Sequence, residues 1–265
     1  MKTKLATLVL TAAAVGFPLA SHAGLDISVQ IAPPALPIYA QPPIPGDGYI
    51  WTPGFWSWNA ADNDYYWVPG TWVAAPYVGA LWTPGYWGWV GGSYRWNGGY
   101  WGDHIGYYGG VNYGYGYGGI GYQGGHWDHG VFNYNRSVNN VTNIRNIHVY
   151  NSRVTYTNNT RVSYSGGQGG VRMEPTKGEQ MIAEMPHKGP TEPQANHENM
   201  SRTNQVQRAS VNHGMPPIAA TPEPGKFNSP NVVAARPESQ PRPQSQPKPQ
   251  GHPSAPHGGG SEHHR

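Results

Sequence analysis

Four side chains make the best case for chemistry in this sequence: Asp103 and His104, and then His126 and His129 on either side of Trp127-Asp128. Imidazoles three residues apart beside carboxylates can ligate a divalent cation, provided the two segments fold against each other. Ordinary loop polarity beside glycine-rich turns explains the same residues, and the expectation is that the protein carries no cofactor. His263 and His264 read as solvated tail. For catalysis the signals are missing. There is no G-x-S-x-G, no H-E-x-x-H and no phosphate-cradling glycine loop. The carboxylates of the aromatic region, Asp47, Asp62, Asp64, Asp103 and Asp128, sit in turn-like contexts rather than as a facing pair. The chain is read as a non-enzyme. The remaining chemistry is stacking: Tyr86 and Tyr100 occupy positions that face away from the neighbouring tryptophans, where their rings could lie on sugar rings.

The elements that would position these residues are set by a repeat. Tyr49-Ile-Trp51-Thr-Pro-Gly-Phe-Trp56 is followed by Tyr65-Tyr-Trp67-Val-Pro-Gly-Thr-Trp72, Ala80-Leu-Trp82-Thr-Pro-Gly-Tyr-Trp87 and Tyr94-Arg-Trp96-Asn-Gly-Gly-Tyr-Trp101. A decayed fifth copy runs from Tyr122 to Trp127. Fixed spacing within units and drifting spacing between them point to hairpins on variable connectors. Proline presets the first corner of a turn, and Gly54, Gly70, Gly85 and Gly99 would supply a positive φ at the second. Each unit then reads as a hairpin with its own two tryptophans face to face, Trp51 with Trp56 and Trp82 with Trp87. Leu, Ile and Val are sparse here, so Trp51, Trp56, Trp67, Trp72, Trp82, Trp87, Trp96 and Trp101 must themselves form the core. The fold class is mainly β: an antiparallel meander of short aromatic hairpins, then a mixed segment and a largely disordered C-terminal tail.

The flanks divide as follows. Residues 1–23 read as a signal peptide: Lys2 and Lys4, an apolar stretch from Leu5 to Ala20, and Ser21-His22-Ala23 as a cleavage site. Residues 24–46 hold a strand with Leu25, Ile27, Val29 and Ile31 on one face and a proline-rich lead-in. Residues 47–130 are the aromatic repeats. Within them, Tyr113, Tyr115 and Tyr117 alternate with Gly114, Gly116 and Gly118, as on the two faces of a strand. Residues 131–165 are Asn-rich and mixed. Residues 166–265 read as a disordered tail in which Thr176-Lys-Gly-Glu179 and Thr191-Glu-Pro-Gln194 can each cap a short helix. The chain has 265 residues and no cysteine; its 17 basic residues, less Lys2 and Lys4, nearly balance 14 acidic ones. A near-neutral mature chain argues against a nucleic-acid partner.

The repeats resemble the WXXGXW, or YXWGXW, repeat family of bacterial exported proteins. Tyr49-x-Trp51-x-x-Gly54-x-Trp56 and its three successors carry the resemblance, with the Gly-Tyr stretch, Arg161-Val-Ser-Tyr-Ser-Gly-Gly and Arg208-Ala-Ser-Val-Asn-His-Gly214. Ala80 in place of Tyr and Gly98 in place of Pro depart from the pattern. The resemblance implies export and the repeat architecture, and no reaction. The expected product is a periplasmic or outer-membrane-associated protein, cleaved after Ala23 and without a transmembrane span in the mature chain. Its role would be structural or partner-binding, the partner an envelope protein or a glycan; glycan or peptidoglycan binding through exposed Tyr and Trp faces is the alternative.

Overall fold

A strand with Pro-Gly at its centre cannot run straight through. Proline has no N–H to give a ladder and glycine no side chain to pack on one, so the ladder stops at the pair and restarts beyond it. The computed structural model, which describes residues 27–142 and 147–237, shows this at each repeat. The expected signal peptide, residues 1–23, lies outside the described residues.

After β1 (Ser28–Val29), the described part of the expected first strand, the proline-rich lead-in is extended with no ladder of its own. β2 (Tyr49–Thr52) and β3 (Phe55–Asn59) flank Pro53-Gly54, and β4 (Asp64–Val68) and β5 (Gly70–Ala74) flank Pro69. The chain reverses at residues 60–63, where Asn63 has φ 51°. β3 pairs with β4 and β2 with β5, both antiparallel, so two successive motifs make one hairpin bent at its middle. β6 (Leu81–Thr83), β7 (Tyr86–Val90), β8 (Ser93–Asn97) and β9 (Tyr100–Gly102) build the second bent hairpin in the same way. Its reversal is Gly91-Gly92, φ 59° and 87°, the left-handed pair that a tight hairpin turn demands.

The protein is mainly β with short antiparallel hairpins, but the tryptophan pairing differs from the local one expected. Trp51 faces Trp72 and Trp56 faces Trp67; Trp82 faces Trp101 and Trp87 faces Trp96. Each Pro-Gly is a corner, not a hairpin turn. Ring centroids in the four pairs lie 5.2–5.4 Å apart at 55–69°, the tilted and edge-to-face range that aromatic quadrupoles favour.

The Tyr-Gly stretch is a hairpin instead of the strand expected. β10 (Asn112–Gly114) and β11 (Tyr117–Gly118) pair across Tyr115-Gly116, φ 51° and 94°. β12 (Gly125–Asp128) and β13 (Val131–Asn135) form another hairpin, and β14 (His148–Tyr150) runs parallel to β13. β15 (Tyr164–Ser165) lies parallel to β7.

Two capped helices follow: α1 (Lys177–Ala183) behind Thr176 and α2 (Glu192–Thr203) behind Thr191. In the boxes Glu179 Oε2 accepts from Thr176 N–H at 2.9 Å, and Gln194 Oε1 accepts from Thr191 N–H at 2.8 Å. α3 (Ala209–Asn212) and β16 (Ala220–Thr221) complete the described chain. Within residues 166–237 the described chain also packs on the repeats, although its hydropathy does not point to it. Ser201, Gln207, Ala219 and Ala220 are fully buried, and β16 adds a parallel strand to β5. The physical reason is that this segment docks through polar groups, which hydropathy does not register. Residues 238–265 lie outside the described residues. Among the described residues, no helix is long and apolar enough to cross a membrane.

The core has the packing of an apolar interior and the bonding of a polar one. The indole N–H of Trp56 donates to Ala35 O at 3.0 Å, that of Trp72 to Pro42 O at 2.9 Å, and the hydroxyl of Tyr65 to Ile31 O at 2.8 Å. Those carbonyls belong to the lead-in, which has no ladder of its own. A buried carbonyl without a donor costs about 1–3 kcal/mol, so each ring fills space and satisfies irregular backbone together. Tyr117 does this between the two hairpins: its hydroxyl lies 2.9 Å from Trp82 O and 3.3 Å from Trp51 O, equivalent positions of the two.

Candidate functional site

The four motif glycines, expected to supply positive φ, do not; none of Gly54, Gly70, Gly85 and Gly99 is in the left-handed region. They are needed for closeness. A Cβ on Gly70 would lie 2.5 Å from Cζ2 of Trp51, and on Gly85 2.5 Å from Cζ2 of Trp96. Gly54 is blocked by Trp67 and Gly99 by Trp82 in the same way. The rule holds at all four corners: each glycine lies under the first tryptophan of the motif it pairs with. Backbone also meets backbone there, since the same Cβ on Gly70 would be 3.0 Å from Gly54 N.

Between the corners of the two hairpins lies a cavity of about 110 Å³. Pro53, Phe55 and Pro69 wall it on one side and Trp82, Pro84, Trp96 and Gly99 on the other; Gln194, His197 and Glu198 of α2 close it. Phe55 stacks on Trp96 at 4.9 Å and 18°, joining the two hairpins along this wall. Trp87 adds a second tie, donating its N–H to Trp56 O at 2.7 Å.

α2 is held at this place by its polar face. Gln194 Oε1 accepts from Trp101 Nε1 at 2.8 Å, and Glu198 Oε1 from Ser57 Oγ at 3.0 Å. His197 is buried. Its Nδ1 accepts from Gly225 N–H at 3.0 Å, which leaves Nε2 to carry the hydrogen toward Pro69 O at 3.0 Å. Burial lowers the imidazole from its usual 6.5 to about 4, against a smaller opposing effect of the Pro69 bond, so the ring is neutral at pH 7. Arg208 grips the tip of the first hairpin through Asp62 at 2.7 Å, and Ser210 donates its N–H and hydroxyl to Asp64.

The residues singled out from sequence are distributed as follows. Of the eight repeat tryptophans, seven are buried, and Trp96 is half-buried against Phe55. Tyr86 and Tyr100 do not form an outward row. Tyr86 packs edge-on against Tyr107 at 5.3 Å, and burial pushes its hydroxyl up to about 12. Tyr100 lies against the His187 ring at 4.4 Å. Thr71, in the same row, is buried. The turn corners expected to present these rings are covered by Tyr107 and His187. The proposed cation ligands are not brought together: among the described residues no three His, Cys, Asp or Glu side chains are grouped to hold a metal. His126 leans on Tyr150, His129 pairs with its neighbour Asp128 in solvent, and His104 turns to Asp103 O. The fifth unit pairs with β13 and not with the fourth, which is why the set never forms.

Gln194, His197, Glu198 and Ala219 were missed as site residues. The capping box at Thr191 marked the helix, but its buried positions, His197 and Ser201, are polar and make no apolar stripe. A spacing of four between them was the only signal.

The model of the WXXGXW repeat matches twice, over residues 46–73 and 81–101. Each match coincides with one bent hairpin, so the chain carries two WXXGXW repeats, each made of two Trp-Trp motifs that pair with each other. No curated protein and no solved structure matches the chain.

Proposed function

We propose that the protein is an exported, non-catalytic component of the bacterial cell envelope, structural or partner-binding, built as a rigid aromatic scaffold. The observation that carries this reading is the fate of the repeat tryptophans. Their rings are packed inside, and Trp56, Trp67, Trp72, Trp87 and Trp101 give their N–H groups to acceptors of the chain itself. Rings used in this way hold a shape and are not available for stacking on a glycan. The signal-peptide pattern at Lys2–Ala23 supports export. Intact-mass measurement of protein extracted from the cell envelope tests the location: a chain beginning at Gly24 is expected, and a mass that retains Lys2 and Lys4 would contradict it.

A further inference from the structure

The two repeats share their corners but not what docks on them. On the first, Ala219 O accepts two N–H groups at once, Gly70 N at 3.1 Å and Trp67 Nε1 at 3.0 Å. Ala220 and Thr221 continue the contact as a parallel strand along Gly70 and Thr71. The docking segment, Pro216-Pro-Ile-Ala-Ala-Thr221, bends at Pro217 and Ala219, runs as a strand over Ala220-Thr221 and carries small side chains at the contact.

The equivalents on the second repeat are Gly99 and Trp96. Trp96 has the attitude of Trp67, with Cζ2 over the glycine of the opposite motif, Gly85 in one case and Gly54 in the other. Alternation along the strand turns Gly99 N–H to the same side as Trp101 N–H, which bonds outward to Lys188 O at 2.8 Å. Nothing in the described chain accepts from Trp96 Nε1, nor from Trp82 Nε1, and both indoles line the cavity. Lys188 reaches the strand one step too far along to fill the place of Ala219, and Pro190, which leads into α2, lines the cavity through its ring without an N–H of its own.

We infer that this cavity is a docking site for an extended peptide segment of a partner protein, with a small or proline-like residue whose carbonyl oxygen takes from Trp96 and Gly99 the two hydrogen bonds that Ala219 takes from Trp67 and Gly70. Three features set that chemistry. The donors are arranged as on a corner that already holds a peptide carbonyl. The volume, about 110 Å³, is below the roughly 150 Å³ of a cavity that admits benzene, which limits the side chain to a small one. The walls are proline and aromatic faces, which suit an extended, proline-containing chain. The site specifies the partner-binding half of the proposed function, and the export measurement is independent of it.

The test uses the full chain and a synthetic peptide of residues 216–223, Pro-Pro-Ile-Ala-Ala-Thr-Pro-Glu, added in trans. Indole N–H resonances are followed by ¹⁵N NMR. The expected result is a saturable shift of the Trp96 signal, with that of Trp67 unmoved. Trp96→Phe, which keeps a ring against Phe55 and removes the donor, is expected to weaken binding about tenfold. Absence of any shift at millimolar peptide would overturn the proposal. So would a shift confined to Trp67, meaning exchange into the first corner, or unchanged affinity in Trp96→Phe. If that variant fails to fold, the wild-type titration still decides.

Discussion

The first bent hairpin and the second have the same corners and the same ring geometry, yet they are buried by different means. In the first, Trp56, Trp67 and Trp72 donate to Ala35, Ala219 and Pro42, carbonyls brought from both ends of the described chain. In the second, Trp87 donates to Trp56 of the first hairpin, Trp101 to Gln194, and Trp96 to nothing in the described chain. The motif therefore specifies a corner and a cross-strand pair. It does not specify what covers them. Coverage comes from segments outside the repeat: the proline-rich lead-in, α2 and the strand at Ala220.

That contrast makes its largest claim on the tryptophans. Trp67→Ala empties a fully buried site and takes from Ala219 O one of its two donors, and should cost about 3–5 kcal/mol in urea unfolding. Trp96→Ala, half-buried, should cost about half as much. Equal losses would mean that the two hairpins are covered alike.

Acid should act on the first hairpin through His197, whose Nε2 bonds Pro69 O. Its folded pKa, about 4, lies below the unfolded 6.5. Protonation thus favours the unfolded chain: stability is fully present above pH 6.5 and falls as the pH drops toward 4, by about 3 kcal/mol. His197→Gln should flatten unfolding free energy measured across that window, and an unaltered slope would remove His197 from the account.

The corners should behave alike. Gly70→Ala and Gly85→Ala each place a Cβ 2.5 Å from an indole carbon, and should cost about 1–3 kcal/mol or more, to a similar extent in both hairpins. A tolerated substitution at either one would show that the closeness is not required. The smallest effect is expected of Tyr117→Phe, which keeps the ring and removes the hydroxyl between Trp51 O and Trp82 O, at about 1–2 kcal/mol. Its loss should reduce the cooperativity between the hairpins, seen as separate transitions in tryptophan fluorescence and far-UV circular dichroism.

Much of this was legible in the residues. The repeat, the aromatic core and both capping boxes follow from spacing and type. The partner of each motif does not, because local pairing across Pro-Gly and distant pairing between motifs satisfy the same alternation. The deciding signal lay between the motifs: Gly91-Gly92 flanked by Val90 and Ser93 is the stronger hairpin turn, since Pro-Gly does not match the twist of a tight two-residue loop. The docking of α2 escaped for a different reason. Gln194, His197 and Glu198 bond to Trp101, Pro69 and Ser57, and a helix docked by hydrogen bonds has no hydrophobic period to read. The metal reading of His126 and His129 failed because it needed the fifth unit to lie on the fourth, and Phe132 of β13 faces Trp127 instead.

The central claim is that each repeat is two motifs paired with one another around a glycine corner. Nuclear Overhauser contacts among assigned tryptophans test it most directly. The account requires cross-strand contacts of Trp51 with Trp72 and of Trp56 with Trp67, whose ring centroids lie 5.4 and 5.2 Å apart. Cross-strand contacts of Trp51 with Trp56, and of Trp67 with Trp72, would contradict it.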